Sequence, residues 1–455
     1  MTNDGASGAT SAKQQKLKWK VDTDQSVIVQ NFTRRGWART EADDWNVYWA
    51  NVMTVRAIFH PDSGFRPADA QLINHFPNHY ELTRKDLMVK NIKRYLREAS
   101  RDPTHELPDD FVPVTCGAAV ARARARARAR TGSRASLASH PLSRFPFFFR
   151  SAPRAAMLSY MLPADYSLFV EEFRRNPNAM WIMKPANSAQ GRGIFIINKL
   201  AQIKRWSNAR WASMPLKEAY VISRYIEDPH LIGGKKYDLR LYVLVTSYRP
   251  LRVYQYAHGF ARFCNVKYSN NLGDLNNPFI HLTNVAIQKH NEDYNAKHGG
   301  KWHVQHLRLF LEGTHGLEAT NRLFAEMDKI VVHSLKAVQG VMINDRHCFE
   351  CYGYDIIIDA QLKPWLVEVN ASPSLTTTTP SDRVMKMALI RDVFEIVLPK
   401  DVNMSTFRGA FALGPCQDCG GFSVLYDEAA EAAAEKEREQ QKAVQKSRRG
   451  SARAY

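Results

Sequence analysis

Gly353-Tyr-Asp-Ile-Ile-Ile-Asp-Ala-Gln-Leu-Lys-Pro-Trp-Leu-Val-Glu-Val-Asn370 is the stretch on which the fold turns. Two β-rich runs, Gly353–Ile358 and Trp365–Val369, flank the polar Asp359 to Lys363, the pattern of a hairpin closed by a short loop. A pivot between Gln361 and Leu362 sets Asp355 opposite Glu368. Strand alternation then puts Glu368 and Asn370 on one face. Two carboxylates and an amide carbonyl converging from adjacent strands form a hard-oxygen site of the kind Mg²⁺ takes. The same three residues could equally be the solvent face of an ordinary hairpin, so their surroundings must decide.

Upstream, strand-like runs occur at Trp181–Met183, Ile194–Ile197, Tyr220–Ile222 and Leu239–Val245. Lys184 ends the first of these, and Ser188-Ala-Gln190-Gly191-Arg192-Gly193 leads into the second. A lysine at a strand end followed by a glycine-containing turn can cover phosphates with backbone N–H groups and one cation. No Walker A sequence is present, and a single Gly-x-Gly is weak alone. Gly233-Gly-Lys-Lys236-Tyr-Asp238-Leu-Arg240 adds cations and a carboxylate beside an apolar strand, and His281-Leu-Thr283-Asn284 adds polar groups. Between these and the hairpin, Leu323, Phe324, Met327, Ile330, Val331, Ser334, Leu335 and Val338 follow the helical period, which predicts a core-facing helix.

Nearer the N-terminus, Trp19, Trp37, Trp45 and Trp49 stud short apolar runs of a small α+β unit. A helix is expected at 83–98, capped by Thr83 with Asp86 and burying Leu87, Met88, Asn91, Ile92 and Tyr95. The domain reading is a disordered lead-in at 1–16, an N-terminal subdomain at 17–115, an insertion at 116–159, a main unit at 160–400, and a tail at 401–455 that is mostly disordered or a solvated helix.

Composition bounds the class. Of 455 residues, 45% are hydrophobic and 24% charged, which is ordinary for a globular chain long enough for two or three units. The net charge is +18, but the nine arginines of residues 116–159, which contain no lysine or acid, account for half of it. The remaining +9 still favours a polyanionic partner. The five-fold Arg-Ala repeat Ala121–Arg130 reads either as an Arg-rich arm for an acidic protein or nucleic acid, or as a disordered insertion or retained intron of GC-rich DNA. Residues 116–159 lack any periodic apolar pattern, which favours the second. The six cysteines make no disulfide framework, and neither a signal-like core nor a membrane-length apolar run appears, so a soluble, intracellular, reduced protein is expected.

WIMKP…QGRGIFIIN, VISRYIEDPHLIGGKKYDLRLYVLV, HLTNVAIQK and GYDIII…WLVEVNASPSL together resemble the tubulin tyrosine ligase-like family, as does NHFPNHYELTRKDLMVKNIKRY. The resemblance runs from about Lys18 to about Pro399, omitting the insertion. It is strongest to the members that add glutamate, in which DFVPVT runs almost directly into YMLPADY. It implies an α+β chain of ATP-grasp fold, with a small N-terminal subdomain and central and C-terminal nucleotide-binding subdomains. It also implies ATP and Mg²⁺ as cofactors. Lys184 would contact the α/β-phosphates, and Gln190 with Gly191 would belong to the phosphate-covering loop. Ser223, Arg224, Tyr225 and Ile226 would form the hinge against adenine. Lys236, Tyr237 and Asp238 would reach the nucleotide, with Thr283 and Asn284 near the phosphates. Asp355, Glu368 and Asn370 match the metal ligands; Arg262 and Lys301 match positions receiving the incoming amino acid, with Arg240 facing the same region.

The implied activity is ligation of free L-glutamate to glutamate side chains in the acidic C-terminal tails of tubulin and microtubules, through an acylphosphate. Further subunits of a polyglutamylase complex are possible partners; nucleic acid and membrane are not expected. The expected location is cytoplasm, cytoskeleton, and the basal body of a cilium or flagellum. The alternatives are a tubulin glycylase of the same family, or a non-catalytic microtubule-binding protein. Two C-x-x-C pairs, Cys348/Cys351 and Cys416/Cys419, could suggest zinc, but lie too far apart for a compact ribbon. His75, His79, His281 and His347 form no recognisable catalytic set and read as packing or surface residues.

Overall fold

The computed structural model describes residues 16–99, 101, 159–186, 188, 190–204, 219–295, 300–400, 402, 406–416 and 419–451. Residues 1–15 of the expected lead-in and 116–158 of the expected insertion lie outside them.

The N-terminal unit is a parallel sheet of β1 (Lys18–Val21), β2 (Ala38–Arg39), β3 (Val47–Trp49) and β4 (Leu72–Ile73), in the order β2-β1-β3-β4. Parallel neighbours need crossovers, and the Ser26–Arg34 and Val52–Ile58 helices supply them. The tryptophans explain how this unit is held. Trp19 stacks on Phe32 at 4.9 Å, and Trp37 and Trp49 both pack on Phe394 of the Pro380–Val397 helix.

The helix expected at 83–98 divides into Tyr80–Thr83 and Lys85–Ala99, because Arg84 is extended (φ −82°, ψ 125°). The anticipated cap does not form. The Thr83 hydroxyl bonds back to the His79 carbonyl, while the Arg84 guanidinium grips the Asp86 carboxylate at 2.7 Å. Met88, Val89, Ile92 and Leu96 carry the buried face, and Leu87 stays half-buried.

A second sheet, antiparallel, contains β5 (Ser159–Leu162), β6 (Trp181–Pro185), β7 (Phe195–Ile197) and β8 (Tyr220–Arg224) in the order β5-β8-β6-β7. Ser159, assigned to the insertion from sequence, belongs to β5: its hydroxyl meets that of Ser223 at 2.8 Å, both buried. Trp181 meets Phe169 of the Tyr166–Arg175 helix edge-on at 5.1 Å. That fixes β6 with Trp181 and Met183 to the core, and Ile182 and Lys184 to the other face.

The largest sheet comprises β9 (Leu231–Ile232), β10 (Lys235–Tyr248), β11 (Leu251–Tyr256), β12 (Phe260–Phe263), β13 (Lys301–His303), β14 (Glu350–Ile358), β15 (Pro364–Asn370) and β16 (Phe422–Asp427). The 14-residue β10 is its spine, pairing with β12, then β11, along one edge and with β14 along the other. Nearly every β10 side chain is buried, as expected for a strand covered on both faces. The Leu317–Gln339 helix lays the predicted stripe beneath it, with Leu323, Met327, Ile330, Val331, Leu335 and Val338 in the core.

The hairpin forms as the sequence predicts, with Asp355 opposite Glu368 and Gly353 opposite Asn370. Beyond that pair the register slips by one, Ile356 pairing with Leu366, so Val367 is bulged. The turn is organised by the Asp359 carboxylate, which accepts from Gln361 N, Lys363 N and Trp365 Nε1 at 2.8–3.0 Å.

Part of the tail departs from its reading. Residues 422–427 form β16 against β11, and Phe407, Ala410, Cys419 and Phe422 are buried. Glu428–Ser451 is a helix, solvated over its first turns. Cys348 and Cys351 are buried in different clusters, and the Cys419 thiol donates to the Cys416 carbonyl at 3.0 Å. Among the described residues no group of three His, Cys, Asp or Glu side chains could hold a metal. No described helix is long and apolar enough to cross a membrane.

Candidate active site

Between the β5–β8 sheet and the β10/β14/β15 face lies a cleft of about 880 Å³, open mouth included. Its inner part is apolar: Ile182, Ile194, Leu282, Ile357 and Leu366 line it beside the Ser223–Ile226 segment. That arrangement suits a flat heterocycle. The charged residues line the rest of the cleft.

Strand alternation places the lysines. Lys184 shares a face with Ile182, and Lys236 and Asp238 share a face of β10. Tyr237, grouped with them from sequence, points the other way, into the core, where its hydroxyl meets His230 Nδ1 at 2.9 Å. The Lys184 ammonium has no hydrogen-bond or ion-pair partner among the described residues, and burial pulls it down to about 8 against the opposing pull of Glu368. Lys236 is also drawn to about 8 by burial. It donates to the Tyr225 hydroxyl at 2.9 Å and the His281 carbonyl at 3.0 Å, and lies 4.5 Å over the Tyr225 ring. His281 is lowered to about 4 by burial and by Lys236. Its Nε2 faces the Asp274 carbonyl at 3.0 Å, so Nε2 carries the proton and Nδ1 accepts from Tyr225. Two recessed cations with charge to spare form an anion site, and phosphates would restore them to full charge.

Gln190 and Gly191 form the turn over the cleft, both left-handed (φ 61° and 79°). A Cβ on Gly191 would lie 2.5 Å from Ile287 Cδ1 and 3.1 Å from Asn284 Oδ1, so only glycine lets this turn close on Asn284. Thr283 and Asn284 line the same end.

At the mouth, Asp355 and Glu368 face the cleft, while Asn370 lies just beyond its lining. The Asn370 amide nitrogen donates to the Gly353 carbonyl and to Glu368 Oε1, both at 3.3 Å, turning its carbonyl oxygen away from them. Asp355 is buried against Arg240 (Nε to Oδ1, 2.6 Å) and Arg262 (Nη2 to Oδ2, 2.8 Å). Burial alone would raise its carboxyl, but the two guanidiniums hold it far below the usual range. It is therefore a permanent anion. The two carboxylates and the amide suit Mg²⁺, which takes few protein oxygens and keeps water and phosphate for the rest.

The three residues expected to hold an amino acid do not line the cleft; they stand behind its charged end. Arg262 bridges Asp238 and Asp355, and its guanidinium is raised because these two carboxylates outweigh burial. Arg240 reaches Asp355 across Gly353, where a Cβ would lie 3.2 Å from Arg240 Cδ. Lys301, facing Arg262 across β12–β13, holds Asp382 and the Thr378 hydroxyl at 3.1 Å each. The group not anticipated from sequence is Lys85. From the first turn of its helix it pairs with Glu368 at 2.9 Å and reaches the Ser188 carbonyl at 3.3 Å. Only the tertiary fold could reveal it, since nothing local marks that lysine among its neighbours.

Comparison with known sequences identifies the family. A family model described as "Tubulin-tyrosine ligase family" matches residues 65–405. The chain is 47% identical over 432 residues to the probable alpha-tubulin polyglutamylase Ttll1 of Tetrahymena thermophila, covering 91% of this chain and 94% of that protein. It is 39% identical to the probable tubulin polyglutamylase TTLL9 of Bos taurus, over 80% of this chain and 76% of that one. With ttll-9 of Caenorhabditis elegans, a probable tubulin polyglutamylase, it shares 34% identity over 92% and 87% of the two chains.

Proposed function

The chain belongs to the tubulin-tyrosine ligase family, and from that premise we propose that it is an ATP-dependent tubulin polyglutamylase, joining free glutamate to glutamate side chains of tubulin's acidic tails. The observation that carries the reading is a cleft with two recessed lysines at about 8, ending on an anionic Asp355–Glu368 pair. The names of the similar proteins favour glutamate over glycine as the amino acid. A non-catalytic binder has no need of these charges, each of which is costly to bury.

The two antiparallel sheets that close on the cleft fit an ATP-grasp arrangement. Ile182, Leu282 and Ile357 would enclose adenine beside the Ser223–Ile226 edge, with Lys184, Lys236 and the Gln190–Gly191 turn on the phosphates. Asp355, Glu368 and Asn370 would hold Mg²⁺, which when bound offsets charge on the transferred phosphoryl group. Amide formation needs the acceptor carboxylate activated, and the reading has ATP convert it to an acylphosphate that the amine of glutamate attacks. The protein's share is positioning and electrostatics. Arg262, with Lys301 and Arg240, would present cations to the incoming glutamate's carboxylates once substrate competes with the aspartates that hold them. A bidentate guanidinium matches a planar carboxylate. The remaining basic charge suits an acidic tail. Tubulin as substrate supports work in the cytoplasm, on the cytoskeleton and at ciliary or flagellar basal bodies, alone or with other complex subunits.

Purified protein supplied with tubulin, ATP and labelled amino acids tests the reading. It requires glutamate transfer that stops without ATP or tubulin; transfer of glycine alone, or none, would replace it.

A further inference from the structure

His281, which reads from sequence as a packing or surface residue, is 4% exposed and lies among the groups that line the nucleotide cleft. It ends the short Pro278–His281 helix, so the chain runs from it directly into Leu282, Thr283 and Asn284 of the same cleft. Its ring stands edge-on to two tyrosines, with centroids 5.7 Å from Tyr225 and 5.9 Å from Tyr268. Packing alone would account for those contacts. It does not account for the hydrogen bonds, which run in one direction.

The direction is set by the Asp274 carbonyl, which can only accept. His281 Nε2 donates to it at 3.0 Å, which leaves Nδ1 to accept from the Tyr225 hydroxyl at 2.9 Å. With its hydrogen committed to Nδ1, the phenol oxygen accepts from the Lys236 ammonium at 2.9 Å. A second ammonium N–H goes to the backbone carbonyl of His281 itself, at 3.0 Å. An ammonium has three donors. The two in use on Lys236 therefore both depend on His281, one through Tyr225 and one directly. The third has no partner among the described residues, in a cleft that Lys236 lines. Burial and Lys236 hold the imidazole down at about 4, so at neutral pH it is uncharged and keeps one tautomer.

We propose that His281 is a positioning residue for nucleotide binding, holding the Lys236 ammonium through Tyr225 and through its own carbonyl so that the remaining N–H meets the phosphates. The inference rests on the reading of this cleft as an ATP site. A buried ammonium keeps its charge only where acceptors face it, and few charged groups help Lys236. Burial and Lys184 oppose its charge, while Cys264 and Asp238 favour it. The buried Cys264 thiol is itself pushed up to about 12 and carries no charge at neutral pH, and Asp238 is already gripped by Arg262. The Tyr225 ring lies 4.5 Å and the Tyr268 ring 6.0 Å from the ammonium. Among the described residues, the two oxygens that His281 sets are the hydrogen-bond acceptors in contact with it.

The two ring nitrogens allow a discriminating test in the full chain. H281N keeps an acceptor near the Nδ1 position and loses the donor to Asp274. H281Q keeps a donor near the Nε2 position and loses the acceptor for Tyr225. Y225F removes the linking hydroxyl and keeps the ring beside Lys236. The probe is a non-hydrolysable ATP analogue with Mg²⁺, titrated calorimetrically from about pH 6 to about pH 9, a span that brackets the Lys236 transition. Losing a hydrogen bond made by a charged donor lowers its pKa by about one unit. In Y225F and H281Q the pH at which affinity falls is therefore expected to drop by about one unit, leaving binding roughly five- to tenfold weaker near pH 8 and little changed near pH 6. H281N is expected to keep the wild-type profile. Equal losses in H281N and H281Q with no shift of the profile, the mark of a residue that only packs, would overturn the proposal. So would an unshifted profile in Y225F, which decides the matter if a histidine variant fails to fold. If wild type does not bind the analogue, the proposal falls together with the nucleotide reading. If the profiles shift as expected but wild type transfers no glutamate, the positioning role stands and the ligase reading falls.

Discussion

Glu368 is the residue whose replacement is most informative. Glu368→Gln keeps size and hydrogen bonding but removes the charge needed at a hard-cation site, and it releases Lys85 from its pair. Ligation is expected to vanish with the melting temperature nearly unchanged; full activity in a folded variant would remove the metal assignment. Arg262 calls for a gentler change than alanine, because Arg262→Ala would leave Asp238 and Asp355 buried without a shared counter-charge. Arg262→Lys keeps the charge and loses the fork. It is expected to raise the glutamate KM roughly ten- to a hundred-fold while the ATP KM moves little. A rise for ATP alone would place Arg262 with the nucleotide. The lysines predict a pH dependence. Lys184 and Lys236 sit at about 8 in the free protein, and phosphates favour their charged forms. Nucleotide affinity should therefore be level below pH 8 and weaken as pH rises through it. Calorimetric titration of a non-hydrolysable ATP analogue checks this, and Lys184→Arg, charged throughout, should flatten the slope.

At the scale of elements, the hairpin was legible because its pairing is local. One pivot and the two-residue strand period set Asp355 against Glu368, as the structure has them. The bulge at Val367 was not legible, since it answers to packing rather than pattern. The Lys184 strand end and the long helix were readable for the same reason. The break at Arg84 was missed because a side-chain grip on Asp86 overrode a helical periodicity that runs through it. The strand β16 was missed because its partner β11 lies far away in sequence. Likewise the Arg240–Asp355–Arg262 cluster exists only through β10 pairing with both β12 and β14. The hairpin turn yields its own prediction. Asp359→Ala removes the acceptor for two amides and the Trp365 indole, and should cost about 2–4 kcal/mol in urea unfolding. An unaltered midpoint would show that the turn residues alone set the hairpin.

Across the whole molecule, the N-terminal sheet is tied to the catalytic sheet by the bridge between Ile73 and Cys348 and by the aromatic packing on Phe394. The two sheets therefore belong to one body. The Arg-Ala run lies outside the described residues, and its composition has no core-forming period. Deleting 116–158 and joining Thr115 to Ser159 should preserve solubility and activity; loss of folding would show that the segment is structural. The account stands most directly on what is added to the tail. Tandem mass spectrometry of tubulin tails, after incubation with the purified chain, ATP, and isotopically labelled glutamate and glycine together, reads that directly. The account predicts labelled glutamate on glutamate side chains, absent without ATP; labelled glycine at those positions, or unmodified tails from a folded, ATP-binding protein, would contradict it.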